Sequence, residues 1–269
     1  MSTDIEWEKW GASDPYFGVI TLPKFRSANL TEENKREFFA SGRHHVEVIL
    51  ENCRRYFAPS FALCRVLDFG CGVGRLIIPF ADLAEWVVGV DVSPSMLIEA
   101  RKNCIDHGLR HVDFVVSDDS LSSLDEPFDL VHSSIVFQHI DVLRGRRLFS
   151  RLVELIKPGG LGVIHVTYGK AYYANSFGVP PGLPMAAIPT ARPKKFAWLR
   201  RHRREDAAAP KETGDTEMQM NAYNLSELGF ILQQAGVPRF FAEFTDHGGE
   251  LGVILYFQRP LTQIFLTGP

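Results

Sequence analysis

Apolar and polar positions follow two rhythms along this chain, and the rhythms alternate. Leu63 to Asp68 is a short apolar run that predicts a buried strand. Leu76-Ile77-Ile78, Phe80-Ala81 and Leu83-Ala84 then read as the buried side of a helix. Trp86 to Val90 is a second strand, ending in Asp91. Ser93 caps the next helix, Pro94 fits its first turn, Met96, Leu97 and Ala100 form its apolar face, and Gly108 ends it. Val112 to Ser117 and Phe128 to Ser134 are a third and a fourth strand. Leu148, Leu152 and Leu155 mark a helix running to about Ile156. Lys157-Pro158-Gly159-Gly160 stops that helix and turns into a fifth strand, Leu161 to Thr167. Upstream, Thr31 caps a helix with Glu32 and Glu33 in its first turn. Its buried face is Phe38, Phe39, Val46, Ile49, Leu50, Cys53 and Phe57, and Ser41-Gly42-Arg43-His44-His45 lies inside it.

Three stretches stand outside this alternation. Residues 1–30 form an aromatic arm (Trp7, Trp10, Tyr16, Phe17, Phe25) that reads as irregular, because Pro15 and Pro23 break regular structure. The arm either packs on the domain or covers the active site, and the two are compatible. Residues 169–222 interrupt the pattern with dense Pro and Gly, then a basic segment, then an alanine-rich polar run, and read as an inserted cap or mobile lid. Regular structure resumes in 223–269, where Asn224 caps a helix closed by Gly236, and two strands flank Asp246-His247-Gly248-Gly249.

The chemistry concentrates at Asp68-Phe69-Gly70-Cys71-Gly72-Val73-Gly74-Arg75. A glycine turn from strand into helix lets a ligand touch the backbone and points helix N–H groups at it. A carboxylate at the end of the second strand, Asp91, can accept both hydroxyls of a ribose. A dinucleotide site wants G-x-G-x-x-G, but here Arg75 stands at the third dinucleotide position. Asp68 would repel a pyrophosphate and suits a ligand with an amino group.

D-x-G-x-G-x-G followed by Gly89-Val90-Asp91-Val92-Ser93 resembles the first two motifs of the class I S-adenosylmethionine-dependent methyltransferases. Phe128 to Ser134 resembles their fourth-strand motif, and Lys157 to Gly160 their turn before the fifth strand, so the likeness spans roughly residues 40–168 within a core of 31–168. The resemblance implies a Rossmann-like α/β fold: a seven-stranded, mostly parallel sheet with a terminal antiparallel hairpin, helices on both faces and the cap inserted after strand 5. The implied cofactor is S-adenosyl-L-methionine, touched by Asp68, Gly70, Cys71, Gly72, Gly74, Asp91, Val92 and Ser134. Asp118, or next Asp119, stands where the family accepts the adenine amino group, unless it caps a helix. Arg43 either pairs with the methionine carboxylate or is solvated.

Methyl transfer is an in-line attack that an enzyme promotes mainly by alignment and water exclusion. A hydroxyl acceptor also needs a base. His139, just past the fourth strand, comes first and Tyr168 second, while His165 reads as a buried, bonded histidine and His247 as solvated. The N/D-P-P-Y/F signature of amino-group methylation is absent at Ser133-Ser134-Ile135-Val136. Asp14 to Thr21 and Phe38 to Gly42 look similar to bacterial methyltransferases associated with surface-polysaccharide synthesis, which implies O-methylation of a sugar or glycan-like hydroxyl, with Trp7, Trp10 and Tyr16 free to stack on a sugar. The alternatives are a natural-product O- or N-methyltransferase and a regulatory module that binds the cofactor without turnover.

Composition narrows the partners. A net charge of −3 gives no global field to recruit nucleic acid. No apolar run spans a bilayer and no signal peptide opens the chain, which suits the cytoplasm. Cys53, Cys64, Cys71 and Cys104 show no metal spacing and read as reduced thiols, and no carboxylate set suits a divalent metal. Seven Lys or Arg between Arg192 and Arg204 read either as a solvated loop or as a lid for a phosphorylated or lipid-linked acceptor at a membrane surface.

Overall fold

The computed structural model describes residues 2–170 and 218–261. The helices are α1 (Ser2–Ser13), α2 (Pro15–Val19), α3 (Glu32–Tyr56), α4 (Ile77–Ala81), α5 (Pro94–Asp106), α6 (Val142–Leu155) and α7 (Leu225–Gln234). The strands are β1 (Arg65–Phe69), β2 (Trp86–Asp91), β3 (Val112–Val116), β4 (Phe128–Ser133), β5 (Ile156–Lys170), β6 (Phe240–His247) and β7 (Glu250–Gln258). They make one sheet in the order β3-β2-β1-β4-β5-β7-β6. β1 to β5 pair in parallel, whereas β7 lies antiparallel between β5 and β6. The expected α/β fold with seven strands and a terminal antiparallel hairpin is therefore present.

Strand periodicity sorts side chains to two faces. Leu67, Phe69, Val131, Ile164 and Val166 pack with α6 and α7. Val66, Leu130, Leu161 and Val163 pack with α3, α4 and α5. Because α4 and α5 cover one face and α6 the other, the winding reverses between β1 and β4. The crevice at the carboxyl ends of those two strands is where open α/β sheets bind ligands.

Caps fall where short polar side chains were expected. Thr31 accepts from Asn34 N at 3.2 Å, Ser93 from Met96 N at 3.1 Å and Asn224 from Ser226 N at 2.9 Å. Three expectations need correction. The arm is helical, not irregular: Pro15 and Pro23 open a helix and a 3-10 turn, where a missing N–H costs nothing. The helix after the glycine loop has only five residues and starts at Ile77, so its N-terminus stands back from the loop. Lys157 to Gly160 lies within β5, with Ile156 paired to Phe128 and a register shift beyond, so the glycines bend a strand.

The arm docks through Trp10, Tyr16, Phe17 and Phe25, which cluster with Phe38, Val73 and Met96. Of the insertion 169–222, residues 171–217 lie outside the described residues, and with them the basic segment 192–204. No helix among the described residues is long and apolar enough to cross a membrane.

Candidate functional site

The loop leaving β1 is shaped by its glycines. Gly70, Gly72 and Gly74 have φ of 77°, 51° and 85°, a region costly for other residues. Gly70 N and Cys71 N donate to Val90 O at 2.7 and 3.0 Å, binding the loop to the end of β2. Gly72 N donates to Asp91 Oδ2 at 2.9 Å, and Ser93 N to its Oδ1 at 3.0 Å. Burial pushes the Asp91 carboxyl up to about 6, against the pull of those two N–H groups. Each carboxylate oxygen keeps one lone pair for a further donor. Val92 is half-buried beside it, and the Cys71 thiol is buried and pushed well above its usual range by burial and by Asp91 and Asp68.

The far side of the crevice is the exit from β4. A Cβ on Gly70 would collide with the Val136 side chain, so loop and exit are in close contact. Ile135 sits at φ 58°, an uncommon conformation for a β-branched residue, between half-buried Ser134 and Val136. His139 N then donates to Val136 O at 2.9 Å. Val19 of the arm stands over the loop, 2.6 Å from where a Cβ of Gly72 would be. Glu8 of α1 accepts from Ser93 Oγ at 2.7 Å and from Ser95 Oγ at 2.6 Å, just beyond Asp91. Trp7 meets the His139 ring edge-on at 4.9 Å. The arm thus packs on the domain and covers this crevice.

Several expected site residues are occupied elsewhere. Arg43 pairs with Asp82 at 2.9 Å and is half exposed. Asp118 accepts from Ser120 N, Ser120 Oγ, Ser122 N and Ser122 Oγ within its own turn, and those donors hold its carboxyl well below the usual range. Asp119 pairs with Arg144 at 2.6 Å, and Arg144 also grips Asp4 of the arm. Asp118 is thereby a turn cap and Asp119 a strut. Tyr168 packs edge-on to Phe244 at 5.8 Å, towards β6. Trp10 and Tyr16 are buried at 4% and 2% exposure, so neither is free to stack on a sugar.

His139 has both ring nitrogens engaged. Nδ1 lies 2.8 Å from Gln219 O, which requires an N–H there. Gln138 Oε1 accepts from Thr167 Oγ1 at 2.9 Å, which turns the Gln138 amide nitrogen to His139 Nε2 at 3.2 Å. Burial lowers its pKa to about 4. The ring is neutral at pH 7, but its lone pair already has a donor.

Asp68 is 2% exposed and accepts from His132 Nδ1 at 2.7 Å. It meets a histidine first, where a ligand amino group was expected. Two residues beside it escaped sequence reasoning. Arg75 has a buried Nε without a partner and only a 3.4 Å contact from Nη1 to Ser41 Oγ; burial lowers its pKa against the pull of Asp68. His45 faces His132. The available signal was spacing, because Gly42, His45, Val46 and Ile49 share one helical face, turned inward.

Residues 66–160 match the family model described as "Methyltransferase domain". The chain is 32% identical over 105 residues to a ubiquinone biosynthesis O-methyltransferase of Chelativorans sp. (strain BNC1), covering 39% of this chain and 40% of that protein. It is 39% identical over 74 residues to the aklanonic acid methyltransferase DauC of Streptomyces sp. (strain C5), covering 26% and 34%. The matched stretch thus spans about two fifths or less of these relatives' length. Among solved structures, magnesium protoporphyrin IX methyltransferase (ChlM) from Synechocystis PCC 6803 with bound SAM superposes at a TM-score of 0.57 with 16% identity, over 96% of this chain and 97% of that one. The N-methyltransferase NodS from Bradyrhizobium japonicum WM9 does so at 0.55 with 16% identity, over 97% and 100%. At these identities the structures establish the fold.

Proposed function

We propose that this chain is an S-adenosylmethionine-dependent methyltransferase that O-methylates a hydroxyl-bearing small molecule. One observation carries the cofactor half: three glycines at positive φ form a cradle at the β1/β4 crevice, and Asp91 is bound to it through Gly72 N. The cradle fits a ligand with a ribose, whose hydroxyls would meet the open lone pairs of Asp91. Cys71, Val92 and Ser134 line the same crevice in this reading. Arg75, whose buried guanidinium beside Asp68 has an unpartnered Nε, replaces Arg43 as the partner of the methionine carboxylate in this reading. Bound there, the cofactor supplies an electrophilic methyl group on a sulfonium. The chain aligns the acceptor and excludes water, and the arm over Gly72, Ser93 and His139 serves the second task.

The relatives' names support an oxygen acceptor, although the matched residues lie in the half that holds the cofactor. The support for a sugar or glycan hydroxyl is the resemblance of Asp14–Thr21 and Phe38–Gly42 together with half-buried Trp7, since Trp10 and Tyr16 are buried between the arm and the domain. Calorimetry should show binding of S-adenosylmethionine and S-adenosylhomocysteine and no binding of NAD. Incubation with methyl-labelled donor and fractionated cell extract should then label a small-molecule fraction. No cofactor binding to folded protein would refute the reading, and label confined to protein or tRNA would refute the acceptor class.

A further inference from the structure

Asp68 and His132 are paired across the β1/β4 junction itself, one residue short of the end of each strand. Both lie on the face covered by α3, and His45 of α3 completes a file of three. His132 Nδ1 is 2.7 Å from Asp68 Oδ1, and His132 Nε2 is 3.3 Å from His45 Nε2. Chemistry fixes the first proton, and the others follow for a neutral His132 ring. A carboxylate only accepts, so His132 carries its proton on Nδ1. With a neutral His132 ring Nε2 is an acceptor, and His45 donates from its own Nε2. That leaves His45 Nδ1 as a bare lone pair, and it has no hydrogen-bond partner among the described residues. No group of three His, Cys, Asp or Glu among the described residues is arranged to hold a metal. The 3.3 Å approach is a hydrogen bond between rings.

Phe80 packs edge-on to His132 at 5.4 Å, and His132 is 1% exposed, so this ring is fixed. An acid, a fixed ring and an outer nitrogen free to accept form the order that prepares a base. Resting on the methyl-transfer reading above, we infer that His45 Nδ1 takes the proton of the acceptor hydroxyl, with His132 and Asp68 as positioning residues. The acceptor oxygen forms its bond to the methyl carbon, the electrons of the carbon–sulfur bond stay on sulfur, and the hydroxyl proton ends on His45. Asp68, acting through His132, steadies the imidazolium against burial and the nearby Arg75 charge, which keep the His45 ring neutral in the free protein. His139 is the less suitable histidine, because Gln138 and Gln219 occupy both of its nitrogens.

The test uses the full chain, tritiated methyl donor and, as acceptor sources, a small-molecule cell extract, catechol and a methyl glycoside, with ¹⁵N-histidine NMR on the same protein. His45→Gln should cut transfer about 10²–10⁴-fold, the usual worth of a general base, with S-adenosylhomocysteine affinity within about twofold of wild type by the same criterion of an untouched donor site. His132→Gln should lower kcat while leaving both KM values unchanged. NMR should show His132 protonated at Nδ1 and His45 at Nε2, and His132→Gln should mix the His45 tautomers. Transfer by His45→Gln close to the wild-type rate would overturn the base. His132 protonated at Nε2 would overturn the relay whatever the rates. Wild-type protein that binds S-adenosylhomocysteine yet labels no acceptor source would overturn methyl transfer itself, and the base with it.

Discussion

Arg75→Met separates the donor site's amino-acid end from its nucleoside end. The guanidinium is buried beside Asp68, its Nε has no partner, and its Nη1 reaches Ser41 Oγ only at 3.4 Å. Without ligand, then, the charge is held at a cost, which burial registers by lowering its pKa. Methionine keeps the apolar stem and removes the charge. The ligand-free protein should therefore be no less stable, and its Tm should stay level or rise by a few degrees. With ligand the sign reverses. A guanidinium–carboxylate hydrogen bond contributes about 1.5–3 kcal/mol, which is roughly 10–150-fold in Kd. S-adenosylhomocysteine should lose affinity by that factor in calorimetry. Methylthioadenosine, which lacks the amino acid, should bind the variant and the wild type equally. Equal weakening of both ligands would mean that the loop had been distorted. No weakening of either would remove Arg75 from the site.

Three further outcomes follow from charge and burial. Asp91, raised to about 6, is protonated below that pH in the free protein, whereas ribose hydroxyls would favour its ionised form. Cofactor affinity should therefore be full above about pH 6 and fall up to tenfold per pH unit below it, and Asp91→Asn should abolish that dependence; a flat wild-type profile would refute the role. His45, His139 and His165 are lowered to about 2, 4 and 3, chiefly by burial. Their stabilisation is full above the unfolded value of about 6.5 and is lost as pH falls, while the raised Asp91 acts in the opposite sense between about 4 and 6. The unfolded chain then binds about two protons more near pH 5, so denaturant titrations should show a loss of about 2–3 kcal/mol per pH unit there, and a pH-independent stability between 4.5 and 6.5 would contradict the burial of these rings. Glu8→Ala removes the acceptor for Ser93 Oγ and Ser95 Oγ, so the arm should loosen and S-adenosylhomocysteine should dissociate several-fold faster in stopped flow. An unchanged off-rate would mean that the arm does not gate the site.

What the sequence made legible follows from which physics is local. Strand and helix periods, the caps at Thr31, Ser93 and Asn224, and a glycine turn that needs positive φ are written within a few residues, and each was readable. Carboxylates were harder, because their neighbours decide what they do. Asp91 ends β2 and Asp118 lies two residues past β3, yet Ser120 and Ser122 fill Asp118, whereas Asp91 receives backbone N–H groups such as those of Gly72 and Ser93. Only the serine spacing after Asp118 hinted at that difference. The histidines were least legible. His45 and His132 are 87 residues apart and meet only because α3 lies across the β1/β4 junction. Their file depends on strand order, on register that sets Asp68 against His132, and on helix rotation that turns His45 inward with Gly42 and Val46. No single segment carries any of those three. The basic run from Arg192 to Arg204, conspicuous in the sequence, lies outside the described residues, while Arg75, which follows the glycine loop, has a buried and specific place. For this chain a residue's importance follows from unsatisfied valence at a junction more than from local density of charge.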